Sequence, residues 1–541
     1  MAIFDPDSDT VTGPAVEGAP EEPVLAADEI QGNVVPGFGS LHQAFIGVRF
    51  DHGNVDGARR WLAGLIPSIS TLAQVNDARN RRRRALRQGL PRPAGGQWTN
   101  VAFDGKGVAL LAPAADKVRD PSFTAGMGID AGLGDPSDTA HPGHPSRWVV
   151  GGSPERTPEA LVILGDEDAK RLRKRVAAVR SAVVAAGLGE PSYVEEGQVL
   201  DGDIEHFGFR DGISAVGVRG RLSDGVRHYL TRRYVDPKDV RAMTDARPGQ
   251  ALIWPGQFVF GYPRQQSDDV LAPGPVARGG HDWMDDGSFL VLRRLRQDVA
   301  AFRRFVAEEG ARRGIAPGRV AAMLVGRWPR GTAIVRNQEG DDADPMADRF
   351  SVNHFGFAEP VPAVAVCSDP LVQLEPAAVG GRRAPALRTV AGAPGDRFGR
   401  VCPGFAHVRK VNPRDLSTDK GGPERTLTFQ VLRRGITFGP PYDAEPAAER
   451  GLVFLCYQTS IEQQFRVLNT DWMNRTSGPE GDTGHDVLVG QGAAPTRERR
   501  GNLRADGPDP EPVRTSVEWI TPTGGGYFFS PSVRTLRLFS Q

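Results

Sequence analysis

Hydrophobic and polar positions in the first part of the chain predict strands that alternate with helices. Residues 41–50 (LHQAFIGVRF) and 159–166 (EALVILGD) are apolar runs of strand length. Residues 57–69 (GARRWLAGLIPSI) have helical spacing, and 167–187 form a basic amphipathic pattern of the same period. The run NVAFDGKGVALLAP predicts a hairpin or strand pair with its turn at Asp104–Gly105. We therefore expect a few strands with helices lying on them.

The second part of the chain repeats this order of elements. Residues 287–295 (GSFLVLRRL) are strand-like and continue into a helical pattern over 296–314, while 426–439 and 451–459 predict two more strands. A core-facing helix stripe follows, with apolar residues at i, i+4, i+7 and i+11, namely Ile461, Phe465, Leu468 and Trp472. The pattern indicates two α+β units with a break near residues 235–255, related by element order and not by visible sequence repetition.

Composition narrows the class of protein. A chain of 541 residues is longer than one hydrophobic core usually supports, so at least two domains are expected. Lys plus Arg and Asp plus Glu both number 66, and a net charge of zero gives no general attraction to nucleic acid or anionic membranes. No apolar run approaches the ~20 residues that span a bilayer. The arginine-rich run at 76–87 is interpreted as a solvated helix face and not as a nucleic-acid site.

The N-terminus and the cysteines indicate where the protein works. Residues 1–27 are acidic, contain proline and lack the features of a secretory signal, so we predict a disordered tail. Three cysteines are too few for a disulfide framework or a zinc cage, and Cys402 is interpreted as a small buried hydrophobe. These features favour a cytoplasmic location.

Two segments carry candidate chemistry. HFGFRDGIS (206–214) places Asp211 between Gly208 and Gly212, which would let the backbone approach a ligand closely, although an Asx turn is the alternative. His407 lies in CPGFAHVRKVNPR, where a structural histidine remains the alternative to a metal ligand. Three cations near it would suit a ligand that bears carboxylates, namely Arg409, Lys410 and Arg414.

A pair of adjacent arginines is the third candidate. Arg433 and Arg434 lie in a predicted strand, so their side chains should point to opposite faces, one solvated and the other entering a cleft. The motifs of zinc peptidases, covalently attached haem and phosphate-binding loops are absent from the sequence.

An ordered series of segments resembles the dye-decolorizing peroxidases. These are 28–39 (DEIQGNVVPGFG), EHFGFRDGIS with its Gly-x-x-Asp-Gly signature, PGQFVFGYP, 287–305, AHVRKVNPR, VLRRGITFG and 451–474, and the resemblance covers residues 28–541. The length and the PGQFVFGYP segment resemble the longer cytoplasmic bacterial subfamily. The resemblance implies an α+β fold of two tandem ferredoxin-like domains, each an antiparallel sheet packed with helices. We place an N-terminal domain with the aspartate loop at 28–245 and a haem-binding domain at 246–541.

The resemblance also implies roles for individual residues. Asp211 corresponds to the distal proton carrier, Arg433 to the distal charge stabiliser and His407 to the proximal iron ligand of one non-covalent haem b per chain. The remaining cofactor-binding positions are Gly208, Gly212, the propionate partner Arg414, the pocket-lining Leu452 and Phe454, and Glu462 as acceptor for the second ring nitrogen of His407. Trp472 corresponds to a surface electron relay or, equally, to a core residue.

The implied function is a haem-dependent peroxidase that reduces hydrogen peroxide and oxidises dyes, phenolic or lignin-like aromatic donors through a ferryl intermediate. Because aspartates ordinarily titrate near pH ~3.9 and histidines near ~6.5, an aspartate proton carrier favours activity on the acidic side of neutrality. Expected partners are hydrogen peroxide and small aromatic or dye reductants, with no nucleic acid or membrane, in a monomer or homodimer. The alternative is a haem-handling protein for storage, delivery or iron removal, with incidental peroxidase activity.

Overall fold

The computed structural model describes residues 18–91, 93, 95–114, 117–224, 228–341, 348–367, 387–503 and 511–541. The strands are β1 His42–Val48, β2 Trp98–Phe103, β3 Ala160–Asp166, β4 Tyr193–Gln198, β5 Gly217–Val218, β6 Asp245–Arg247, β7 Gln250–Ile253, β8 Pro263–Gln265, β9 Pro273–Val276, β10 Ser288–Gln297, β11 Val364–Cys367, β12 Leu387–Val390, β13 Leu432–Arg433, β14 Ile436–Phe438, β15 Gly451–Gln458, β16 Arg499–Gly501, β17 Val513–Thr515 and β18 Ile520–Ser530. The α-helices are α1 Val55–Leu65, α2 Leu72–Arg87, α3 Gly105–Leu111, α4 Pro121–Ala125, α5 Ala169–Ala185, α6 Val299–Arg313, α7 Pro317–Val325, α8 His407–Val411, α9 Pro423–Leu427 and α10 Val533–Phe539. Ile461–Phe465 and Val467–Met473 are π-helical.

The largest sheet closes on itself to form an antiparallel barrel. Its order is β10-β18-β2-β3-β1-β4-β14-β15, and β15 pairs in turn with β10. The short strand β13 pairs with β15 next to β14, so the two act as one interrupted strand. Closure of the ring leaves the main sheet of the described chain without an edge that is open to another strand.

The two halves of the chain contribute equivalent halves of this barrel. If the strands of each half are counted from its own first strand, β2-β3-β1-β4 and β14-β15-β10-β18 both have the order 2-3-1-4. Helices follow the first and third strands of each barrel half, although the one after β15 is π-helical. This is the ferredoxin-like arrangement, and the predicted fold class of two antiparallel α+β units is confirmed. The predicted limits of the two domains, 28–245 and 246–541, stay a prediction.

Side chains alternate across the barrel wall as the strand pleat requires. One set points inward and packs with the chain segment at 30–38, and it includes Phe45, Ile163, Leu290, Val453, Tyr457 and Phe528. The other set points outward against helices, and it includes Ile46, Val101, Val162, Phe289 and Phe529 with Trp61, Leu62 and Leu172. The barrel therefore has an apolar interior and an apolar outer layer that helices cover.

The predicted hairpin at 100–113 is wrong. The chain leaves strand β2 at Phe103 and enters helix α3 at Gly105. The Asp104 carboxylate accepts a hydrogen bond from the Gly107 amide at 2.8 Å. This bond satisfies one of the amides at the start of the helix, so an Asp-Gly pair that is typical of a turn acts here as a helix N-cap.

The prediction of one strand over 426–439 is wrong in part. Its first residues belong to helix α9, and the strand itself is divided into β13 and β14. The interruption lies at Arg434 and Gly435. The Arg434 side chain turns inward there and donates to the backbone oxygens of Asn33 at 2.9 Å and Val34 at 2.8 Å.

The predicted disordered tail at 1–27 is wrong for residues 18–27, which are packed; residues 1–17 lie outside the described residues. The Glu22 side chain is 6% exposed, and its carboxylate accepts hydrogen bonds from Arg233 at 2.5 Å and from the Gly220 amide at 2.7 Å. A second buried guanidinium, Arg219, lies 3.4 Å from the same carboxylate. This segment is held in place because it supplies the negative charge for two buried arginines.

Among the described residues, no helix combines the length and the apolar composition needed to cross a membrane. The cytoplasmic location stays a prediction.

Candidate active site

A cavity of about 290 Å³ lies against the outer face of the second half of the barrel, which β14, β15, β10 and β18 form. Its walls come from β10, β15, the start of β18, α8, the π-helical segment and the irregular segment 205–216. Seven of the nine predicted site residues line it: Asp211, Gly212, His407, Arg414, Arg433, Leu452 and Phe454. Gly208 and Glu462 do not. Segments that are distant in sequence therefore converge on one space.

The Asp211 carboxylate and the Arg433 guanidinium form one polar pair in this cavity. Arg433 Nη1 donates to Asp211 Oδ1 at 3.1 Å, and Nη2 donates to the Ser214 backbone oxygen at 3.3 Å. The Gly212 amide donates to the same Asp211 oxygen at 2.6 Å. The side chains of Asp211 and Arg433 are 42% and 37% exposed. Both groups are thus oriented and remain open to a small molecule.

Glycines give the aspartate loop its path. Gly208 and Gly212 have φ angles of +95° and +75°, which residues with a Cβ rarely adopt. No atom lies within 4 Å of the position that a Cβ would take at either residue. Conformation, and not crowding, is therefore what selects glycine at these two positions.

The paired arginines diverge as expected from a strand. Arg433 lines the cavity, whereas Arg434 points to the other side of the sheet. Arg434 is half-buried, and the backbone oxygens of Asn33, Val34 and Arg433 accept its hydrogen bonds. Burial lowers the pKa of Arg434 to about 10.

His407 is the first residue of α8, and a buried carboxylate fixes the orientation of its ring. His407 Nδ1 lies 2.6 Å from Asp486 Oδ2. The other oxygen of Asp486 accepts hydrogen bonds from the Leu488 and Val489 amides at 3.0 Å each, and its side chain is fully buried. A histidine whose Nδ1 is committed to an acceptor presents Nε2 as a free ligand atom.

The prediction of Glu462 as acceptor for His407 is wrong. The Glu462 carboxylate accepts a hydrogen bond from Ser122 Oγ at 2.5 Å and pairs with Arg466 one helical turn away. These contacts hold it at the outer side of the π-helical segment. The acidic partner of His407 is Asp486.

One end of the cavity is cationic. Arg327 and Arg414 both line it, and among the described residues their side chains donate to neutral acceptors: the backbone oxygens of Gly331, Val352, Asn353 and Phe355, with Ser214 Oγ and Asn353 Oδ1. Burial and then the charge of Arg414 lower the pKa of Arg327 to about 9. Burial lowers the pKa of Arg414 to about 10. This end of the cavity suits a ligand that brings carboxylates.

The other two cations near His407 do not face this cavity. Arg409 pairs with Glu480, with nitrogen–oxygen distances of 2.8 and 2.7 Å. Lys410 is fully buried and donates to the backbone oxygens of Arg475 and Gly478. Of the three cations expected to bind carboxylates, only Arg414 is placed to do so.

A second carboxylate lines the cavity below the aspartate loop. Glu205 accepts hydrogen bonds from the amides of Phe207 at 2.9 Å and Phe209 at 3.0 Å, and from Gln297 Nε2 at 2.6 Å. Burial raises the pKa of Glu205 to about 6, and the nearby Asp211 charge acts in the same direction. These bonds fold residues 205–209 into the tight turn that carries Asp211.

Trp472 packs inside the protein. Its side chain is fully buried, and Nε1 donates to Asp419 Oδ1 at 2.9 Å. Its ring meets Phe429 edge-on, with centroids 5.3 Å apart. These contacts are those of a core residue. A role of Trp472 in electron transfer stays a prediction. Leu468 of the same stripe lines the cavity instead of the core.

Comparisons with known proteins agree with one another. Residues 29–188 match the model of the DyP dimeric alpha+beta barrel domain. The multifunctional dye peroxidase DyP2 of Amycolatopsis sp. is 28% identical over 550 residues, 96% of this chain and 97% of that protein. The dye-decolorizing peroxidase msp1 of Mycetinis scorodonius is 28% identical over 468 residues, 81% of this chain and 75% of that protein. The solved structure of an ancestral D-type dye decolorizing peroxidase has a TM-score of 0.70 at 26% identity, and the match covers 95% of this chain and 99% of that one.

Along most of its length the chain is similar to dye-decolorizing peroxidases. These relatives indicate that it is a peroxidase, an oxidoreductase, and they imply a haem cofactor. The assignment to a longer cytoplasmic bacterial subfamily stays a prediction.

The residues of the peroxidase cavity fit a haem. His407 offers a ring nitrogen, and apolar side chains from the sheet and from α8 offer flat walls, including Leu295, Leu452, Phe454, Val408 and Val411. Two guanidinium groups have no carboxylate partner among the described residues, the buried Arg327 and the half-buried Arg414. They match the two carboxylates that a haem carries. Iron, an apolar ring and carboxylates each meet the chemistry they need.

Two residues of the peroxidase site were missed in the sequence. Asp486 lies in a glycine-rich loop 79 residues after His407, and its signal was an aspartate directly before the apolar run Val487–Val489. Arg327 lies near the end of α7, 113 residues after its partner Ser214, and nothing local distinguishes it from other arginines.

Proposed function

We propose that this chain is a haem-dependent peroxidase that reduces hydrogen peroxide and oxidises dyes and phenolic or lignin-like aromatic donors. The observation that carries the proposal is the Asp211–Arg433 pair in the cavity that also holds the oriented ring of His407. A protein that only stores or delivers haem needs a ligand and an apolar pocket, but it does not need this acid–base pair.

We assign Asp211 as the group that moves a proton. Its carboxylate accepts a proton from one oxygen of peroxide and returns it to the other, which leaves as water. The hydrogen bonds from Arg433 and Gly212 hold the carboxylate in place for both steps. Arg433 also stabilises the negative charge that develops on the departing oxygen, because a guanidinium stays charged throughout.

We assign His407 as the iron ligand, with Asp486 as the group that orients it. The buried Asp486 carboxylate accepts a hydrogen bond from Nδ1 and fixes the orientation of the ring. Arg327 and Arg414 would bind the carboxylates of the cofactor. When bound, haem supplies the metal at which peroxide binds and the electrons that cleave its O–O bond, which two donor molecules then restore.

The finer features of the cofactor and its donors belong to the same proposal. None of the described cavity residues is a cysteine, which supports a non-covalent haem b, one per chain. Hydrogen peroxide and small aromatic or dye reductants are the proposed substrates, and the names of the relatives support this class of donor.

The test compares haem-loaded wild-type protein with Asp211→Asn, Arg433→Ala and His407→Ala, by the rate of peroxide consumption with an aromatic donor near pH 5. We expect Asp211→Asn to lower the rate about 10²–10⁴-fold and Arg433→Ala about 10²–10³-fold. His407→Ala should change the haem absorbance. Asp203→Asn is the matched control, since this exposed carboxylate is close in sequence, pairs with Arg210 and does not itself line the cavity.

Near-wild-type rates in both Asp211→Asn and Arg433→Ala, with haem still bound, would contradict the proposed roles. The haem-handling alternative would then be the better account. Release of free porphyrin from haem by the wild-type protein would identify iron removal as that activity.

A further inference from the structure

A group of arginines surrounds Tyr234 outside the cavity. This Tyr234 cluster consists of Arg83 on α2, Arg232, Arg247 on β6, and Arg349. Asn80 Oδ1 accepts hydrogen bonds from Arg83 Nη1 and from Arg232 Nη2, each at 3.2 Å. Two guanidinium groups therefore converge on a single amide oxygen, although like charges repel. None of these residues lines the haem cavity.

The other two arginines of the cluster contact the Tyr234 ring. The guanidinium carbon of Arg247 lies 4.9 Å from the ring centroid, and that of Arg349 lies 5.0 Å from it. Tyr234 is 3% exposed and meets Phe350 edge-on at 5.2 Å. Arg247 Nε is buried and has no hydrogen-bond partner among the described residues. A donor of this kind is costly unless a ligand satisfies it.

Three of these four arginines have no carboxylate partner among the described residues. Within the described part of the chain, no carboxylate lies within 4 Å of the guanidinium groups of Arg83, Arg247 or Arg349. Burial and then the charge of Arg232 lower the pKa of Arg83 to about 10. The pKa of Tyr234 is lowered although burial alone would raise it, because Arg247, Arg349 and Arg232 surround the phenol. Among the described residues, three of the four guanidinium groups thus bring positive charge that no carboxylate pairs with.

We propose that the Tyr234 cluster is a binding site for a tetrahedral oxyanion, a phosphate or a sulfonate group. Guanidinium groups bind such oxygens through paired, charge-assisted hydrogen bonds, and several of them approaching from different sides match three oxygens better than the two of a carboxylate. Arg349 is exposed, so the site is open to solvent. Free phosphate and an aryl sulfonate, such as the anionic group of a dye, share this chemistry. The site is separate from the haem cavity and does not depend on the proposed peroxidase mechanism.

The test measures binding of two probes, inorganic phosphate and benzenesulfonate, to haem-loaded protein by titration calorimetry in a chloride buffer of low ionic strength. At least one probe should bind to the wild type, and Arg247→Gln should weaken that binding about tenfold or more. Arg81→Gln is the matched control, because Arg81 lies on the same helix but is exposed and pairs with Asp77. Its affinity should equal that of the wild type.

Each outcome decides the proposal. Binding of phosphate alone identifies free phosphate as the source of the oxyanion, and binding of benzenesulfonate alone identifies an aryl sulfonate. No binding of either probe, or equal affinity in Arg247→Gln and wild type, would overturn the site. Haem absorbance and cooperative unfolding check that the variant folds. If it does not, Arg349→Gln replaces it, since that exposed side chain is not part of the packed core.

Discussion

The two halves of the barrel have the same strand order but different outer faces. On the first half, Ile46, Val101 and Val162 are fully buried beneath helices. On the second, Leu452 and Phe454 at the corresponding face are only half-buried and line the cavity. The comparison teaches that the topology by itself does not create a site. The site lies where the helical layer leaves the outer face of the sheet uncovered.

The elements that cover each face explain this difference. Helix α5 follows β3 and buries Leu172, Val176 and Val183 against the first half of the barrel. The segment after β15 is π-helical, and its wider turns divide its apolar residues between two surroundings. Ile461 joins the outer apolar cluster, whereas Leu468 lines the cavity.

A charge placed on each outer face gives the largest contrast. Val162→Asp would bury a carboxylate without a partner, and we expect a loss of several kcal/mol, enough to prevent folding. Leu452→Asp should leave a folded protein, because the carboxylate can reach the cavity, but haem affinity should fall. Circular dichroism and haem titration measure the two effects. Equal destabilisation by both substitutions would show that the two faces are not distinct.

Removal of the acceptor for His407 tests one hydrogen bond of the site on the second half of the barrel. Asp486→Ala leaves Nδ1 without its partner, and we expect haem affinity or peroxidase rate to fall about 10–100-fold. Glu462→Gln is the control, because its carboxylate bonds Ser122 and not His407, and its rate should stay within about twofold of wild type. The reverse ranking would restore Glu462 as the acceptor.

The acidic group below the aspartate loop makes stability depend on pH. The pKa of Glu205 is raised in the folded state to about 6 from an ordinary value of 4.5, so the protonated form stabilises the fold. That contribution is fully present below pH 4.5 and is lost as pH rises through about 6. Glu205→Gln should remove a change of about 2 kcal/mol between pH 4.5 and 7, measured by urea unfolding. Parallel pH profiles for variant and wild type would contradict this assignment.

The smallest effect on stability is expected from a substitution on the first half of the barrel, far from the site. Asn54 caps α1 through a hydrogen bond from the Gly57 amide at 3.0 Å, and its amide donates to the Ala186 oxygen at 3.3 Å. Asn54→Ala should cost about 1 kcal/mol of unfolding free energy. Haem affinity, measured by titration, should not change. A change would mean that the two halves of the barrel are energetically coupled.

Much of the fold could be predicted because strand patterns are local. Strands β1, β3, β10 and β15 were all expected from runs of apolar residues, since burial on both faces of the wall requires such runs. The helix α3 was not, because Asp104–Gly105 satisfies the pattern of a turn as well as that of a cap. Only the packing of Phe103 and Val108 in one outer cluster selects the helix.

The site divides in the same way. Asp211, His407 and Arg433 lie in short segments that resemble family motifs, and all three line one cavity. Asp486 and Arg327 act through partners that lie 79 and 113 residues away, so no local spacing could identify them. Their chemistry is set by tertiary contacts.

Closure of the barrel has a consequence for the order of events in biosynthesis. Strand β18, at residues 520–530 of a 541-residue chain, joins β10 to β2 and also supplies Ile520 and Pro522 to the cavity. At a synthesis rate of roughly 5–20 residues per second, His407 leaves the ribosome several seconds before the strand that completes its surroundings. Throughout that interval β2 and β10 each have one side without a partner. The surroundings of His407 are therefore completed only after β18 has been synthesised.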